Sequence, residues 1–369
     1  MKRYILFLTW LFVYGALHAQ NEDVANIIRR VNIHWQKTHT ADHNAFWDNA
    51  VYHTGNIQAW AVCGDTAFLN YSRRWAEHNH WMGATEQDKQ KWKYRNYGES
   101  QQYVLFGDWQ CCFQTYLALP NADTRRVFEV MDHETESPQH DYWWWADALY
   151  MAMPVLAQLY TLTADEKYLD KIYENISYTD SLMYDAEEGL YYRDAKYVYP
   201  KHKTQRGGKD FWARGNGWVL AGLAKTLQEM PKVYRHYNFF CNKFIRLAQG
   251  AKRLQDKEGY WSRSMADAEQ APGPETSGTA LFCYGISWGV NNGLLNDEDY
   301  HDCIKRAWHY LSEVALQPDN TIGYVQPIGE RAIPGQQLSA GSVTNFGTGT
   351  FLLAACEYHR YLMRYIRRL

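Results

Sequence analysis

The sequence predicts an all-α protein, an (α/α)6 barrel in which six inner helices are ringed by six outer ones. Sustained alternation of apolar and polar residues, the pattern of half-buried strands, is almost absent, whereas apolar residues at helical spacing recur along the chain. The predicted helices come in pairs, and six of them follow a loop rich in glycine, aromatic and polar residues. Each interval between these starts, about 40 to 70 residues, fits two helices and their connections, and a closed ring of such pairs would bury every inner helix on both sides. The six starts lie near Trp47, Asp108, Asp147, Asn216, Ser277 and Asn345.

The first 19 residues have the pattern of a secretory signal peptide. Lys2 and Arg3 supply a basic start, residues 5–17 form a short apolar run, and small residues precede Gln20. The apolar run is short for a membrane span, and polar sequence follows it directly. We therefore expect an exported protein, periplasmic or secreted, without a membrane span. No break in composition divides residues 20–369, which are expected to form a single barrel domain.

The first part of the chain shows helical patterns separated by two polar stretches. In the first helical pattern Ile28, Val31 and Trp35 recur at helical spacing. The polar stretches, residues 86–100 and 131–142, are expected to be loops or irregular structure. The helices expected here are residues 25–39, 51–62, 68–80 and a segment that begins near residue 108.

The remainder of the chain continues the helical series. Residues 147–162 form a helical pattern in which Pro154 is expected to kink the helix or to mark its early turns. Residues 189–194 have strand or loop character, and the charged, glycine-containing residues 203–209 are expected to be a loop. The further helices expected are residues 168–183, 217–230, 239–254, 278–289, 300–316 and 348–367.

The composition excludes some classes of function and leaves others open. The chain has 369 residues and a formal net charge of −3, so it is not basic enough to indicate a nucleic-acid partner. Its 29 Tyr, 16 Trp and 14 Phe suit a groove on which sugars stack, but they equally suit a tightly packed helical core. The seven cysteines are too few and too scattered for a disulfide scaffold, although an exported protein could hold one disulfide.

Asp147 is the most unusual candidate for chemistry, because three consecutive tryptophans, the last of them Trp145, stand just before it. A buried carboxyl group without a partner has a raised pKa, and a carboxyl group that titrates near neutrality can act as a general acid or base. Asp108 stands in a similar place, before a helical run and beside Phe106 and Trp109. Two carboxylates in one cleft would push each other's pKa apart. The alternative for both residues is a helix N-cap, a position at which Asp is preferred.

A second unusual string, residues 211–218, surrounds Arg214. The Arg214 guanidinium could hold a ligand carboxylate in a bidentate fork, and Trp212 and Trp218 could offer flat faces to a sugar ring. The alternative is an arginine paired with a structural aspartate on a tight turn. In a ring of parallel inner helices the N-termini open at one mouth and favour an anionic ligand there. The residues expected to converge at that mouth are Asp108, Asp147, Arg214 and Thr276.

Tyr52 and His53, near the start of the second predicted helix, are further candidates for ligand binding. A lone histidine, however, more often has a packing or surface role. The other histidines show no convincing metal-ligand spacing, so no metal site is expected. The sequence contains no Gly-x-Ser-x-Gly elbow, no P-loop and no dinucleotide fingerprint.

Five long strings follow one another in a fixed order: residues 145–151, 212–218, 275–280, 284–289 and 346–354. They resemble motifs of the unsaturated rhamnogalacturonyl hydrolases, glycoside hydrolase family 105, and of the related unsaturated glucuronyl hydrolases of family 88. Asp108, with residues 114–117, resembles the earlier helix start of that family, which also contains an aspartate. The resemblance extends over nearly the whole chain after the predicted leader.

The resemblance implies a six-hairpin, glycosidase-like toroid that removes a Δ4,5-unsaturated uronic acid from the non-reducing end of oligosaccharides left by polysaccharide lyases. It assigns to Asp147 the protonation of C4 and assistance to water addition at C5, after which the hemiketal opens and expels the remaining sugar. It assigns to Asp108 a contact with the sugar and a part in tuning Asp147. The residues themselves fit this assignment, because Trp145 supplies desolvation and Asp108 supplies a like charge, and both raise the pKa of a carboxyl group. The implied partner is an oligosaccharide with a terminal unsaturated uronic acid, of rhamnogalacturonan type or a related uronide. No metal or organic cofactor is implied.

One residue departs from the family pattern, because Arg193 stands where well-known members have a histidine. If Arg193 lines the pocket, it is a binding residue that changes the preferred uronide or linked sugar. Two other functions remain compatible with the residues. One is a conventional inverting glycosidase on the same barrel, with Asp147 and Asp108 as acid and base. The other is a catalytically silent protein whose aromatic side chains only bind sugar.

Overall fold

The computed structural model describes residues 2–83 and 104–368, and within these ranges it confirms the all-α prediction. The predicted polar loop at residues 86–100 lies outside the described residues. The helices and the two short strands are, in chain order, α1 (Lys2–Thr38), α2 (Trp47–Cys63), α3 (Thr66–His78), α4 (Gly107–Gln110), α5 (Phe113–Ala118), α6 (Arg125–Glu136), α7 (Ala148–Met151), α8 (Met153–Thr163), α9 (Lys167–Met183), β1 (Tyr184–Asp185), β2 (Leu190–Tyr191), α10 (Ala213–Glu229), α11 (Tyr237–Arg253), α12 (Thr276–Asn291), α13 (Asp297–Tyr310) and α14 (Asn345–Arg368).

The inner ring closes as the repeat predicts. Around it stand α2, then α4 with α5, α7 with α8, α10, α12 and α14; each packs on the next, and α14 packs back on α2. The outer helices cover this ring: α1 packs on α2 and α14, α3 on α2, α9 on α8, α11 on α10 and α12, and α13 on α12 and α14, while α6 packs on α9. The six predicted starts lie within a few residues of the observed ones, and the (α/α)6 architecture is confirmed.

The starts of neighbouring inner helices lie side by side at one mouth. A Cβ atom added to Gly278, in the first turn of α12, would be 3.0 Å from the backbone of Ala213 and Arg214, where α10 begins. One added to Gly215 would be 3.8 Å from the Cβ of Ala146, just before α7. The predicted convergence of helix starts at one mouth is therefore confirmed for these three helices.

Large aromatic side chains fill the middle of the barrel. The ring of Trp218 lies 4.6 Å from that of Tyr150 and 6.3 Å from that of Trp47, centroid to centroid, and Trp47 lies 5.0 Å from Phe346. All four side chains are buried. The hydroxyl of Tyr150 bonds to that of Thr54 at 2.8 Å, which ties α7 to α2 across this layer. The two mouths of the barrel are thus separated by packed rings.

One sequence expectation is corrected and another is confirmed. Residues 131–142 are not irregular throughout, because α6 extends to Glu136; Val127, Val130, Met131 and Glu134 form its buried face at helical spacing. The helix α1 runs continuously from Lys2 to Thr38 and so includes the residues of the predicted leader, whose removal on export stays a prediction. The predicted kink is present: α7 and α8 are divided at Ala152, and Pro154 lies in the first turn of α8.

All seven cysteines are free thiols, so no disulfide ties the barrel together. Six of them are buried, in keeping with their role as small apolar side chains. None of the helices in the part of the chain that the structure describes is both long and apolar enough to cross a membrane.

Candidate active site

Asp147 stands immediately before α7, at the mouth where the inner helices begin. Its side chain makes no capping hydrogen bond to the helix, so the N-cap alternative does not explain it. The residue is only 8% exposed, and its Oδ2 has no hydrogen-bond partner among the described residues. A carboxylate in such a place pays a desolvation cost that hydrogen bonds do not offset.

Burial is the main cause that raises the pKa of Asp147 above its ordinary value. The positive charges of Arg193 and Arg214 act in the opposite direction, and the negative charge of Asp194 adds to the rise. Because the effect of burial prevails, the carboxyl group holds its proton to higher pH than an exposed aspartate. The side chain is therefore suited to donate a proton to a bound ligand.

Arg193 lies directly beside Asp147, with its Nε 3.6 Å from Oδ2. That separation makes an ion pair but is too long for a hydrogen bond. The Arg193 Nη1 donates to Asp194 Oδ2 at 2.7 Å and lies 3.6 Å from Glu330 Oε2. The guanidinium is also 5.8 Å from the ring of Trp144. Arg193 thus shares its charge among three carboxylates, and this cluster borders the proton donor.

The chain brings Arg193 to Asp147 by pairing two segments that are far apart in sequence. The amide of Ala146 donates to the carbonyl of Arg193 at 2.8 Å, and Trp145 forms an antiparallel bridge with Asp194. This pairing follows the hairpin of β1 and β2, whose second strand ends at Tyr191. The local backbone therefore fixes the separation between Asp147 and Arg193.

Trp145 forms a buried wall of the site. Its ring stacks on Phe106 at 4.6 Å and lies 4.8 Å from Trp144. A Cβ atom on Gly107 would be 3.5 Å from the Trp145 ring, so the start of α4 packs against this wall. Asp108, the next residue, is partly buried. Its predicted contact with the sugar stays a prediction.

Arg214 is buried but does not offer the predicted fork. Its Nη1 and Nη2 donate to the backbone carbonyls of Gln326 and Pro327 at 2.6 and 2.8 Å. The guanidinium lies between the rings of Trp212, at 4.6 Å, and Phe346, at 4.9 Å. Burial lowers the pKa of Arg214, with Glu275 and Asp147 acting to raise it. Because both terminal nitrogens donate hydrogen bonds to backbone carbonyls, Arg214 anchors a loop and adds positive charge near Asp147, and it does not bind a ligand carboxylate in a fork.

Trp212 and Gln326 extend this anchor toward Arg193. The indole Nε1 of Trp212 donates to Gln326 Oε1 at 2.9 Å, and Gln326 Nε2 donates to the carbonyl of Arg331 at 2.8 Å. The segment held in this way includes Glu330, which meets Arg193. Trp212 is 2% exposed, so its predicted role as a sugar-stacking face does not fit its position.

Thr276 and Trp218 have packing roles where ligand binding was expected. Trp218 is fully buried in the middle of the barrel. The hydroxyl of Thr276 donates to the carbonyl of Gly323 at 2.7 Å and contacts Tyr310 at 2.8 Å. The N-terminus of α12 does not present free donors to an anion either, because the buried Glu275 side chain accepts from the second and third amides of the helix at 3.1 and 2.7 Å.

Tyr52 and His53 are also held inside the helix packing. The Tyr52 hydroxyl donates to Asn32 at 2.7 Å. The His53 ring contacts Ser72 at 2.9 Å and stacks on Trp75 at 3.8 Å. Both are fully buried against α1 and α3. Their positions do not fit the predicted role in ligand binding, and that of His53 fits the alternative packing role.

The structure brings together only part of the predicted set, and it adds residues that sequence reasoning missed. Among the predicted residues, Asp147, Trp145 and Arg193 form one contiguous group. Asp194 and Glu330 complete it through Arg193. The adjacency of Asp194 to Arg193 was a usable signal, whereas Glu330 lies in a loop without a distinctive local pattern.

Comparison with known proteins points to one family. The model of Glycosyl Hydrolase Family 88 matches residues 21–362. A curated protein from Formosa agariphila, named unsaturated 3S-rhamnoglycuronyl hydrolase, is 41% identical over 219 residues, which cover 58% of this chain and 57% of that protein. A protein of the same name from Alteromonas sp. (strain LOR) is 29% identical over 310 residues, 75% of this chain and 74% of that protein.

Solved structures agree in fold over nearly the full chain. A family 88 glycosyl hydrolase from Bacteroides vulgatus is 51% identical, with a TM-score of 0.87, and the match covers 92% of this chain and 99% of that one. A chain described as a polysaccharide lyase is 55% identical, with the same TM-score of 0.87, over 93% and 98% of the two chains. A possible family 105 member from Salmonella enterica, 17% identical with a TM-score of 0.73 over 94% and 95%, shares the fold.

Proposed function

The chain belongs to glycosyl hydrolase family 88, and we propose that it removes a Δ4,5-unsaturated uronic acid from the non-reducing end of an oligosaccharide by hydrating the vinyl ether. The family assignment bears out the resemblance read from the sequence. The names of the two curated relatives support an unsaturated uronide linked to rhamnose as the substrate class. The observation that carries the proposal is Asp147, a buried carboxyl group with a raised pKa at the mouth of the barrel.

The reaction needs one strong proton donor and one water molecule. Asp147 gives its proton to C4, and the positive charge that develops is shared by C5 and the ring oxygen. Water adds to C5 while the Asp147 carboxylate takes up the proton that the water releases. The C5 hemiketal then opens by breaking its bond to the ring oxygen, and C1, now an open hemiacetal, becomes an aldehyde as it releases the linked sugar as an alcohol. The sum is the addition of one water, and the acid is regenerated.

The surrounding residues support each requirement of this scheme. Trp145 and its aromatic neighbours exclude water and keep the pKa of Asp147 high. Arg193 is the cation nearest to Asp147 that is partly exposed, with 15% of its side chain accessible, so we assign it the carboxylate of the substrate. Asp108 is assigned a contact with the sugar, as the family resemblance implies.

The decisive experiment follows the ultraviolet absorbance of the conjugated double bond in lyase-generated, rhamnose-linked oligosaccharides. The proposal expects the absorbance to decay and free sugar to appear with it. A conventional glycosidase would release sugar and preserve the absorbance, a sugar-binding protein would change neither, and a lyase acting on the parent polysaccharide would increase the absorbance. Each of these three outcomes contradicts the proposal.

Replacement of Asp147 tests the assigned acid. Asp147→Asn should reduce kcat by at least about 1000-fold, since general acid catalysis alone contributes roughly 100- to 10,000-fold and hydration of an enol ether depends on it. The matched control is Asp141→Asn, which alters an aspartate outside the site. A variant at position 147 that kept most of the wild-type rate would remove Asp147 from its role.

We also propose that residues 1–19 are removed on export and that the mature protein is periplasmic or secreted. The basic start, short apolar run and small residues before Gln20 support this proposal. Mass spectrometry of the protein recovered from periplasmic and extracellular fractions should find an N-terminus at Gln20. Recovery of the uncleaved chain from the cytoplasmic fraction alone would contradict it.

A further inference from the structure

A second concavity opens at the mouth opposite to Asp147, where the inner helices end. Its volume is about 870 Å³, within the usual range of small-molecule pockets. Lys225, which lines it, lies about 16 Å further along α10 than Arg214, given the rise of an α-helix. The buried rings of Tyr150 and Trp218 lie between the two mouths. We call this space the distal cavity, and it is distinct from the site around Asp147.

Lys225 is the charged residue of the distal cavity on which the following inference depends. Its ammonium lies 5.5 Å from the centre of the Tyr150 ring, and it forms no hydrogen bond or ion pair with any residue in the described ranges. Burial lowers the pKa of Lys225 to about 8, while Cys111 and Glu229 act to raise it. A lysine held in this way has unused hydrogen-bond donors facing a cavity.

The other charges of the distal cavity are largely paired. Arg360 bonds to Glu357 at 2.8 Å, and Arg364 pairs with Asp297 at 2.6 Å. The lining has four basic side chains, those of Lys225, Arg360, Arg364 and Arg367, and two carboxylates, Glu229 and Glu357. When Asp297 is counted as well, which pairs with Arg364 but does not line the cavity, one positive charge is in excess. Burial lowers the pKa of His359 to about 4, so it adds no charge at neutral pH. A single excess charge matches a monoanion better than a dianion.

Amide side chains make up much of the remaining lining. Amides both donate and accept hydrogen bonds, as sugar hydroxyls do. In the portion of the chain covered by the structure, Gln114, Gln158 and Asn291 each have a buried side-chain oxygen without a hydrogen-bond partner. The amides that line the cavity are Gln58, Gln114, Gln158, Gln228, Asn291 and Asn292.

We propose that the distal cavity binds a small hydroxylated carboxylate, such as a sugar acid. Its carboxylate pairs with the Lys225 ammonium, and its hydroxyls bond to the amide side chains. This second site rests on residues remote from Asp147 and holds whether or not the proposed reaction is correct.

Calorimetric titration of the full chain at pH 7 tests the site, with sodium D-glucuronate as the probe. Lys225→Gln should weaken a glucuronate-binding component at least ten-fold, while the control Lys232→Gln, an exposed lysine just after α10, should retain it. Arg193→Gln, at the other mouth, should leave the Lys225-dependent component intact. Wild-type protein that shows no such component, or a Lys225→Gln variant that binds as wild type does, overturns the proposal.

Two further probes separate the parts of the ligand. D-glucose has the hydroxyls without the carboxylate, and acetate has the carboxylate without the hydroxyls; both should bind at least ten-fold more weakly than glucuronate. Equal binding of either one contradicts the assignment of a hydroxylated carboxylate.

The pH dependence of wild-type binding gives a test that needs no variant. Glucuronate stays ionised above neutrality, whereas Lys225 loses its proton as the pH rises through about 8. Affinity at the distal cavity should therefore fall about ten-fold between pH 7 and pH 9. The other ionisable groups that line the cavity are Glu229, Tyr284, Glu357, His359, Arg360, Arg364 and Arg367, and Cys111 also acts on Lys225. Burial raises the pKa of Cys111 well above its ordinary value, so its thiol stays neutral through this range. An affinity that does not change between pH 7 and pH 9 contradicts the role of Lys225.

Discussion

Burial and Arg193 have opposite effects on the pKa of Asp147, whose proton the reaction needs. Burial favours the protonated carboxyl group, whereas an arginine 3.6 Å away favours the carboxylate. Asp194 and Glu330 moderate this conflict, because they share the charge of Arg193. When the carboxylate of a substrate meets Arg193, the arginine is neutralised further and the pKa of Asp147 should rise. Substrate binding would then favour protonation of the acid.

Arg193→Gln should therefore shift the pH dependence of the reaction. Without the arginine, the pKa of Asp147 rises, and since the acid must be protonated, the alkaline fall of kcat/KM should move to higher pH. The lost contact with the substrate should raise KM at least about ten-fold, equivalent to roughly 1.4 kcal/mol. Initial rates from pH 4 to pH 9 measure both effects.

Arg193→Lys is the control for charge. It keeps a cation near Asp147, so the alkaline limb should stay near that of wild type, but it lacks the planar fork and should still raise KM. An Arg193→Gln variant with an unchanged pH profile would show that Arg193 does not influence the acid.

Asp147→Asn should make the protein more stable while it abolishes activity. A carboxyl group whose pKa is raised in the folded state destabilises the fold when it is ionised. This destabilisation is present at neutral pH and disappears as the pH falls below the ordinary pKa of an aspartate. Asparagine removes that cost, and a gain of about 1 kcal/mol is expected at pH 7. Thermal unfolding at pH 7 and pH 4 checks this: the gain should be larger at pH 7, and a loss of stability at pH 7 would contradict the burial argument.

The candidate site was predictable where it depends on local sequence. The tryptophans before Asp147 indicated a buried carboxyl group, and burial is its main perturbation. The roles of Arg214 and Trp212 were not predictable, because both are decided by the loop at residues 326–331, more than a hundred positions away. Nothing in their own string shows that backbone carbonyls occupy the arginine.

At the scale of elements, Glu275 links a helix start to the site. Its carboxylate caps α12 and also accepts from the amide of Gln326 at 3.1 Å. Gln326 is the residue that Arg214 and Trp212 hold, and the same loop carries Glu330 to Arg193. The residue that caps an inner helix therefore also helps to position Glu330, through the loop that both it and Arg214 hold.

Glu275→Ala should destabilise the protein by about 3 kcal/mol, because it removes a cap and leaves buried donors without partners. It should also lower kcat/KM, since the loop that carries Glu330 loses an anchor. Thermal unfolding and initial rates measure the two effects. The control is Asn296→Ala, which removes the exposed cap of the outer helix α13 and should cost about 1 kcal/mol without changing the rate. If both variants changed the rate equally, Glu275 would have no specific role in positioning the active-site loop.

Helical periodicity and loop composition were sufficient to place the starts of the inner helices. They failed at α6, where the apolar positions are few and polar residues cover the rest of the helix, so its pattern resembled a loop. The outer helices contact the ring on one face only, which leaves a weaker signal in the sequence.

At the scale of the whole molecule, the ring is closed by backbone contact between its first and last members. Gly55 of α2 and Gly349 of α14 face each other so closely that a Cβ atom on either would overlap the backbone of the other helix. These residues are far apart in sequence, so the contact forms only when all the intervening hairpins have taken their places. Closure should therefore make unfolding cooperative across the barrel.

Gly349→Ala tests this closure. The added methyl group would collide with the backbone of Val51 and Tyr52, which cannot move without displacing α2, and a loss of about 2 kcal/mol is expected. The control is Gly341→Ala, in an exposed turn where the added Cβ would make only an ordinary contact with Ser339 Oγ at 3.8 Å, and it should change stability by less than about 0.5 kcal/mol. Because every inner helix depends on its two neighbours, helical circular dichroism and tryptophan fluorescence should lose their signals together at the lowered melting temperature. Separate transitions in the two signals would show instead that α14 detaches while the other hairpins stay folded, and that the ring is not closed cooperatively.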